Sequence, residues 1–366
     1  MTDPFIPPAK PLIGQEEREA VDRVLRSGMI AQGPEVAAFE QEFADHFVDG
    51  RVCVAVNSGT AGQHLGQLAA GVGPGDEVIV PSFTFAATGN SVALTGATPV
   101  FVDIEPDTFG LDPAAVENAI TDKTKAIMPV HLYGHPARME ELQGIASRHG
   151  LEIYEDAAQA HGASLNGRKV GTFGRFAMFS LYPTKNMTSG EGGMVSCDSS
   201  ELARNVKLLR NQGMEKQYEN EVLGFNARMT DIHAAIGREQ LKKVDAWTEA
   251  RISNAEYLTK NLVGVDTPKV APGAVHVYHQ YTIRVAEDRD GFVKALREQF
   301  GVGSGVYYPI PNHRLPSLKQ FAPDLELPET ERAAREVLSL PVHPSLTAAD
   351  LDRIVSAVNS LAEAGR

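Results

Sequence analysis

The sequence predicts an α/β fold in which a mostly parallel sheet of about seven strands lies between layers of helices, followed by a smaller α+β unit. Short runs rich in β-branched residues alternate with stretches of helical periodicity. The first five runs are separated by segments long enough for crossover helices, which join parallel strands and cover both faces of a sheet. The expected strands are 52–56, 78–80, 99–104, 126–132, 152–154, 176–181 and 193–197.

Two amphipathic helices, 15–27 and 35–47, are predicted before the first strand. The glycines and the proline of 28–34 interrupt the helical pattern between them. Among the crossovers, 60–70 and 138–149 carry the periodicity of helices.

The chain is strongly helical from 201 to 261. A strand-like run at 277–285, followed by a helix at 291–300, indicates a separate α+β unit. We therefore expect a large domain over 1–250, with the N-terminal helices included, and a small C-terminal domain over 251–366.

Composition limits the kind of protein. With 366 residues, 43% of them hydrophobic and 22% charged, the chain can bury a large core. A net charge of -13 argues against binding to nucleic acid or to anionic membranes, because phosphate contacts need a basic surface.

The two cysteines, Cys53 and Cys197, lie in separate apolar runs outside any metal-binding spacing, which predicts buried reduced thiols. Residues 1–8 lack the basic start and apolar core of a signal peptide, and no run approaches the roughly 18 apolar residues of a membrane span. We therefore expect a cytoplasmic protein.

Lys185 follows a run that should be a buried strand, so its amine is expected at the carboxyl edge of the sheet, where open α/β folds bind ligands. An ordinary lysine has a pKa of about 10.4 and is a poor nucleophile at neutral pH. Use as a nucleophile requires desolvation or a resting bond to a carbonyl group. A surface lysine in a glycine-rich loop is the alternative.

Three other strand ends carry groups that could hold parts of one ligand. Residues 57–60 offer hydroxyls and backbone N–H groups at a helix start, which suits a phosphate or an ordinary N-cap. Phe85, after the second strand, could stack on a flat ring or pack in the core. Asp156, ending the fifth strand, could pair with a protonated ring nitrogen or cap the next helix. These groups and Lys185 are together what pyridoxal phosphate requires.

A metal site is not expected. His131 and His135 have an i,i+4 spacing, but Pro136 and the intervening Leu-Tyr-Gly argue against a helix there. The glycines of 71–75 resemble part of a dinucleotide motif but precede a strand, so we interpret them as a turn.

The chain closely resembles the DegT/DnrJ/StrS family of sugar aminotransferases over nearly its whole length. The resemblance implies the fold-type-I aminotransferase architecture, pyridoxal 5'-phosphate as cofactor, and a homodimer with shared active sites. The motifs that carry it are 57–60, 73–81, 129–134, 155–162, 180–193 and 224–231.

The resemblance also implies roles for single residues around the cofactor. Lys185 would form the internal aldimine, and Asp156 would face the ring nitrogen. Gln159 would hydrogen-bond the ring hydroxyl, while Phe85 and Ala158 would lie on opposite faces of the ring.

The phosphate would be held by Gly59, Thr60 and Ser180, with help from Asn226 of the partner subunit. A C-terminal segment looks like the part of the family that approaches the sugar. The expected substrate contacts, for which core packing or surface exposure is the alternative, are Tyr182, Tyr307 and His313.

The activity implied by the resemblance is transfer of an amino group from an amino acid, taken to be L-glutamate, to a nucleotide-linked ketosugar with ping-pong kinetics. A keto-inositol acceptor is the alternative. A sugar dehydratase is disfavoured, because that branch of the family replaces the lysine with histidine. A non-catalytic regulatory relative is disfavoured by the intact set of Lys185, Asp156 and Gln159.

Overall fold

The computed structural model describes residues 4–364, so residues 1–3 and 365–366, which the two expected domains include, lie outside the described range. Within that range the helices are α1 Gln15–Ser27, α2 Pro34–Phe47, α3 Gly59–Ala69, α4 Ala86–Leu94, α5 Pro113–Asn118, α6 Met139–His149, α7 Ser200–Arg210, α8 Asp231–Leu241, α9 Val244–Asn261, α10 Arg289–Phe300, α11 Pro328–Glu336 and α12 Ala348–Ala364. Short 3₁₀ helices occupy Leu132–Gly134, Asn312–Arg314 and Lys319–Phe321.

The strands of the main sheet are four or five residues long. In chain order, the strands are β1 Val52–Val56, β2 Glu77–Pro81, β3 Thr98–Val102, β4 Thr124–Ile127, β5 Glu152–Asp156, β6 Ser164–Leu165, β7 Arg168–Lys169, β8 Phe176–Ser180, β9 Gly193–Cys197, β10 Met214–Lys216, β11 Glu219–Asn220, β12 Ala274–Val275, β13 Tyr281–Arg284 and β14 Val337–Leu340.

The main sheet has seven strands in the order β1-β9-β8-β5-β4-β2-β3. The pairs from β8 to β3 are parallel, and β9 runs antiparallel to both of its neighbours. The predicted mostly parallel seven-stranded sheet is therefore confirmed, and all seven expected strands are present.

The largest difference from the expected strands is at β4. β4 ends at Ile127, and pairing beyond it is reduced to a single bridge between Val130 and Asp156. Pro129 has no N–H to donate to a ladder, which explains why the strand does not continue to residue 132.

The two N-terminal helices form as predicted, with α2 beginning one residue earlier, at Pro34. Proline is favoured in the first turn of a helix because that turn needs no N–H donor there. The N-terminus of α2 is capped from a distance, since the buried Asp231 carboxylate accepts from Gly33 N at 2.8 Å and from Val36 N at 3.0 Å. This contact joins α2 to the start of α8.

The expected helical stretch from 201 to 261 is interrupted by the hairpin of β10 and β11. The chain turns there through Gly213, which has a φ of 74°. A helix cannot continue through that left-handed conformation.

The C-terminal part packs β13 and β14 against α9, α10 and α12 around a separate apolar core, to which the N-terminal Ile6 also contributes. We retain 1–250 and 251–366 as a proposed domain division. α9 crosses position 250 without a break.

Two further features of the described residues concern the sequence predictions. Both cysteines are buried free thiols. Between residues 4 and 364, no helix is long and apolar enough to cross a membrane.

β5 carries two adjacent buried carboxylates whose side chains leave opposite faces of the sheet because of strand alternation. Glu155 accepts hydrogen bonds from the backbone N–H groups of Gly171, Phe173 and Gly174 at 2.7–2.8 Å. His131 Nδ1 accepts from a backbone N–H, so its Nε2 is the donor to Glu155 at 3.1 Å. Burial alone would raise the pKa of Glu155, yet these hydrogen bonds hold it below the usual value.

Arg51 holds the same loop from its carbonyl side. Its guanidinium donates to the carbonyl oxygens of Gly171, Gly174, Arg175 and Cys197 at 2.8–3.2 Å. Glu155 and Arg51 together therefore fix the loop that leads into β8, the strand before Lys185.

We predict that Glu155→Gln lowers the free energy of unfolding by about 3 kcal/mol, because an amide NH₂ replaces one oxygen that faces backbone donors. Urea denaturation monitored by circular dichroism measures the change. Glu298→Gln, on the exposed face of α10, is the matched control and should change stability by less than about 0.5 kcal/mol. A cost no larger than that of the control would contradict the anchoring role.

Candidate active site

The antiparallel strand β9 brings two distant loops together at one edge of the sheet. Its first residue, Gly193, pairs with Val56 on one side and with Ser180 on the other. A Cβ atom on Gly193 would lie 2.7 Å from the carbonyl oxygen of Ser58. Only glycine allows the loop after β1 to approach this closely.

The start of α3 and the end of β8 form a cradle of hydrogen-bond donors. Ser58 caps α3, its Oγ accepting from Ala61 N at 3.1 Å. The N–H groups of Gly59 and Thr60, in the first turn, have no acceptor within the helix. A Cβ atom on Gly59 would meet Ser180 Oγ at 3.3 Å. The positive end of the helix and the Ser180 hydroxyl thus suit a phosphate.

Asp156 is a buried carboxylate with neutral donors on both oxygens. Thr88 Oγ1 donates to Oδ2 at 2.8 Å, and Ala158 N donates to Oδ1 at 3.1 Å. Because the Thr88 proton is used in this way, Thr84 is the donor in the 3.0 Å contact between the two threonine hydroxyls. The chain from Thr84 through Thr88 fixes the orientation of the carboxylate.

Lys185 is partly exposed, in the loop that follows β8. Burial in the surrounding protein lowers the pKa of its ammonium to about 8, and the charge of Asp156 opposes that change. A lysine of this kind is partly neutral near pH 7.5, as a nucleophile or a proton-transfer group requires.

Gln159 and two aromatic rings complete the site. Gln159 Oε1 accepts from Tyr133 N at 2.7 Å, and Gln159 Nε2 donates to the Tyr308 hydroxyl at 3.1 Å. The Phe85 side chain is 59% exposed at the start of α4, and its ring centroid lies 6.0 Å from that of Tyr308. An exposed phenyl ring at the mouth of a site is available for stacking.

These groups fit pyridoxal phosphate. The donor cradle would hold the phosphate, the buried Asp156 would meet the protonated ring nitrogen, and Lys185 would supply the amine for its aldehyde. The glycine at position 59 leaves room that a Cβ atom would fill. The ring would lie between Phe85 and Ala158.

The expected substrate contacts differ in their surroundings. Tyr182 is 47% exposed, and Tyr307 is partly buried. His313 is fully buried, with Nδ1 2.6 Å from Ser82 Oγ and Nε2 3.2 Å from Glu331 Oε1. Both ring nitrogens are therefore engaged, and we give His313 a positioning role in the proposal below.

Asn226 is exposed and lies beside the end of β1, since Asn57 N donates to the carbonyl oxygen of the next residue, Ala227, at 2.9 Å. Its side chain is thus available at the surface next to the cradle. The contribution of Asn226 of the partner subunit remains a proposal.

Two residues of the site escaped the sequence analysis. Thr88 lies in the first turn of α4, shortly after the end of β2, and a hydroxyl side chain near a strand end was the available signal. Tyr308 gave none, because the adjacent Tyr307 is chemically identical and sequence does not say which ring points inward.

His131 and His135 bond to different partners. His131 contacts Glu155, while His135 Nδ1 donates to the carbonyl oxygen of Pro136 and Nε2 accepts from Ala271 N. No cluster of three or more His, Cys, Asp or Glu side chains arranged for a metal ion is found between residues 4 and 364.

Comparison with known proteins gives a family match over most of the chain. The model of the DegT/DnrJ/EryC1/StrS aminotransferase family matches residues 11–359. The pleiotropic regulatory protein of Geobacillus stearothermophilus is 46% identical over 90% of both chains. The dTDP-3-amino-3,4,6-trideoxy-alpha-D-glucose transaminase of Streptomyces venezuelae is 44% identical over 95% of this chain and 92% of that protein.

Solved structures agree with this match. S. venezuelae DesV in complex with a ketimine intermediate superposes with a TM-score of 0.91 and 43% identity, over 95% of this chain and 94% of that one. The PLP-form of the putative sugar aminotransferase Spr1654 from Streptococcus pneumoniae has a TM-score of 0.92 at 28% identity, over 98% of this chain and 99% of that one. The fold is therefore that of the fold-type-I aminotransferases.

We predict that Thr88→Val lowers the free energy of unfolding of the cofactor-free protein by about 1.5–3 kcal/mol, the value of a hydrogen bond to a charged group. Thr88→Ser keeps the hydroxyl and should retain most of the stability. In an Asp156→Asn background the cost should fall to about 1 kcal/mol, because the acceptor is then neutral. Urea denaturation of the four variants tests this; an equal cost in both backgrounds would argue against the contact.

We predict that an amine-reactive probe labels Lys185 of the cofactor-free protein with a midpoint near pH 8, since burial lowers its pKa to about 8 from 10.5. Asp156→Asn removes a charge that raises this pKa, so the midpoint should fall further. Peptide mass spectrometry across a pH series measures both, with the exposed Lys319 as internal control. A midpoint near 10.5 would disprove the desolvation of Lys185.

Proposed function

This chain belongs to the DegT/DnrJ/EryC1/StrS aminotransferase family, and on that basis we propose that it transfers an amino group from L-glutamate to a nucleotide-linked ketosugar. The observation that carries the proposal is the position of Lys185, in the loop after β8, where the charge of the buried Asp156 at the end of the adjacent strand β5 acts on its amine. Pyridoxal 5'-phosphate is the cofactor, as in the neighbouring structures of this fold. A sugar substrate is consistent with the transaminase from S. venezuelae, whose name specifies a dTDP-linked amino sugar.

Bound pyridoxal phosphate supplies a reactive carbonyl carbon and an electron sink for the transfer. Lys185 tethers the cofactor at rest. When its amine is free, it holds or moves the proton that must leave the donor amino acid and later reach the sugar carbon. A pKa of about 8 for that amine allows both proton uptake and proton release near neutral pH.

The other residues bind and orient. The Asp156 carboxylate, which is oriented by hydrogen bonds from Thr88 and the Ala158 N–H, would face the protonated ring nitrogen. Gly59, Thr60 and Ser180 anchor the phosphate. Phe85 and Ala158 flank the ring, and Gln159 presents its amide to the ring hydroxyl.

Substrate recognition is assigned to Tyr182 and Tyr307, whose side chains are exposed or partly buried around the site. His313 supports them by fastening the C-terminal segment to Ser82. A homodimer with shared sites, in which Asn226 of the partner subunit reaches the phosphate, is part of the proposal. A cytoplasmic location is also part of the proposal, and the two free buried cysteines support it.

Because the enzyme holds the amino group between donor and acceptor, the keto acid should leave before the sugar binds, and the kinetics should be ping-pong. Initial rates over both substrates would then give parallel double-reciprocal lines. Intersecting lines would refute this order.

We predict that Lys185→Ala abolishes repeated turnover while the fold is kept, because both the tether and the proton carrier are lost. Lys185→Arg is the matched control for charge and should be equally inactive, since its guanidinium stays protonated. Circular dichroism checks folding, and amino-group transfer from glutamate to a panel of nucleotide-linked 3-keto and 4-keto sugars, with a keto-inositol beside them, measures turnover. Sustained turnover by either variant would overturn the proposal. If the wild-type protein transferred the amino group to the keto-inositol alone, the proposed acceptor would be a cyclitol and not a nucleotide-linked sugar.

A further inference from the structure

The orientation of the Gln159 amide, in the turn after β5, is set by two residues from other segments of the chain. The backbone N–H of Tyr133 can only donate, so Gln159 Oε1 faces it at 2.7 Å. Nε2 is thereby turned towards the Tyr308 hydroxyl, which accepts at 3.1 Å. Gln159 itself is buried. One N–H of the amide is used by Tyr308, and the second stays available to a ligand.

Tyr308 is held in place through residues on either side of it in the chain. The Tyr133 hydroxyl donates to the carbonyl oxygen of Tyr307, the residue before it. Four residues further along, Asn312 Nδ2 donates to the carbonyl oxygens of Ser82 and Thr84 at 3.1 and 2.7 Å. These bonds tie both ends of segment 307–312 to the rim of the site.

We propose that Tyr308 is a positioning residue, by which the C-terminal part of the chain fixes the Gln159 amide and aims its second N–H at the ring hydroxyl of the cofactor. The inference rests on the proposed cofactor role of Gln159. It adds a residue that reaches the site from 149 positions away in the sequence and acts through its hydroxyl alone.

A packing role for the ring is the competing explanation, because the Tyr308 ring also lies against Phe83 and Phe85, with centroids 6.4 and 6.0 Å away. Tyr308→Phe separates the two explanations, since it keeps the ring and removes the oxygen that accepts from Gln159. Tyr257→Phe is the matched control: its hydroxyl contacts Asp352 on an exposed surface.

The experiment measures binding of pyridoxal phosphate to the full-length cofactor-free protein by absorbance titration, for Tyr308→Phe, Gln159→Ala and the double variant. It also records the pH midpoint of the visible absorbance change of the loaded protein, which a packing defect far from the ring hydroxyl would not move. We expect Tyr308→Phe to weaken binding about two- to tenfold, the effect of one neutral hydrogen bond. Its absorbance midpoint should shift in the same direction as that of Gln159→Ala.

The double variant decides how Tyr308 acts. If the inference is right, adding Tyr308→Phe to Gln159→Ala changes neither the affinity nor the midpoint, because the amide it positions is gone. An equal effect in both backgrounds would overturn it. If only Gln159→Ala, and not Tyr308→Phe, weakened cofactor binding, the inference would also be overturned, while the proposed cofactor role of Gln159 would be kept. If Gln159→Ala binds pyridoxal phosphate as tightly as the wild-type protein does, both the cofactor role of Gln159 and this inference are wrong.

Discussion

The buried carboxylate of Asp156 is the constraint on which the site depends. A negative charge is expensive to bury unless donors and a cation meet it. The sheet meets this requirement by ending β5 beside α4, where Thr88 donates to Asp156, and beside the loop that carries Lys185. Thr88 stabilises the carboxylate by a hydrogen bond, and the lysine acts on it through its charge. Each carboxylate oxygen can accept a further hydrogen bond, which makes the position suitable for a protonated ring.

Glu155, the residue before Asp156, has a structural role. Glu155 lies on the other face of the same strand and is fully satisfied by His131 and by backbone donors of the loop before β8. One carboxylate therefore stabilises the scaffold and the next is left for chemistry. Strand alternation separates the two roles within a single peptide unit.

The C-terminal part of the chain is joined to the site as well as packed beside it. Tyr308 reaches Gln159, and Asn312 and His313 bond to the loop after β2 that carries Phe85. Residues that contact the cofactor region thus come from both proposed domains. The positions of substrate contacts in segment 307–313 would then depend on the loop after β2, whose Phe85 would stack on the cofactor ring.

The sequence by itself determined the sheet, since strand periodicity and crossover length located seven strands to within a few residues. It also determined which side chains end those strands, because the carboxyl ends of parallel strands share one edge, and so it predicted Lys185, Asp156 and the loop at 57–60 as neighbours. Family resemblance supplied the roles of Gln159 and Ala158. Local pattern was sufficient for these positions because each is fixed by the strand that precedes it.

Tertiary structure alone decided the contacts between distant segments. Tyr308 bonds to Gln159 across 149 residues, Asp231 caps α2 across 198, and His313 is buried against Ser82 across 231. Such partners are chosen by how helices and loops pack, and a tyrosine or histidine has the same local pattern whether it points inward or outward. That is why the sequence predicted the residues at most strand ends, with β4 as the exception, but not the side chains that reach those ends from elsewhere.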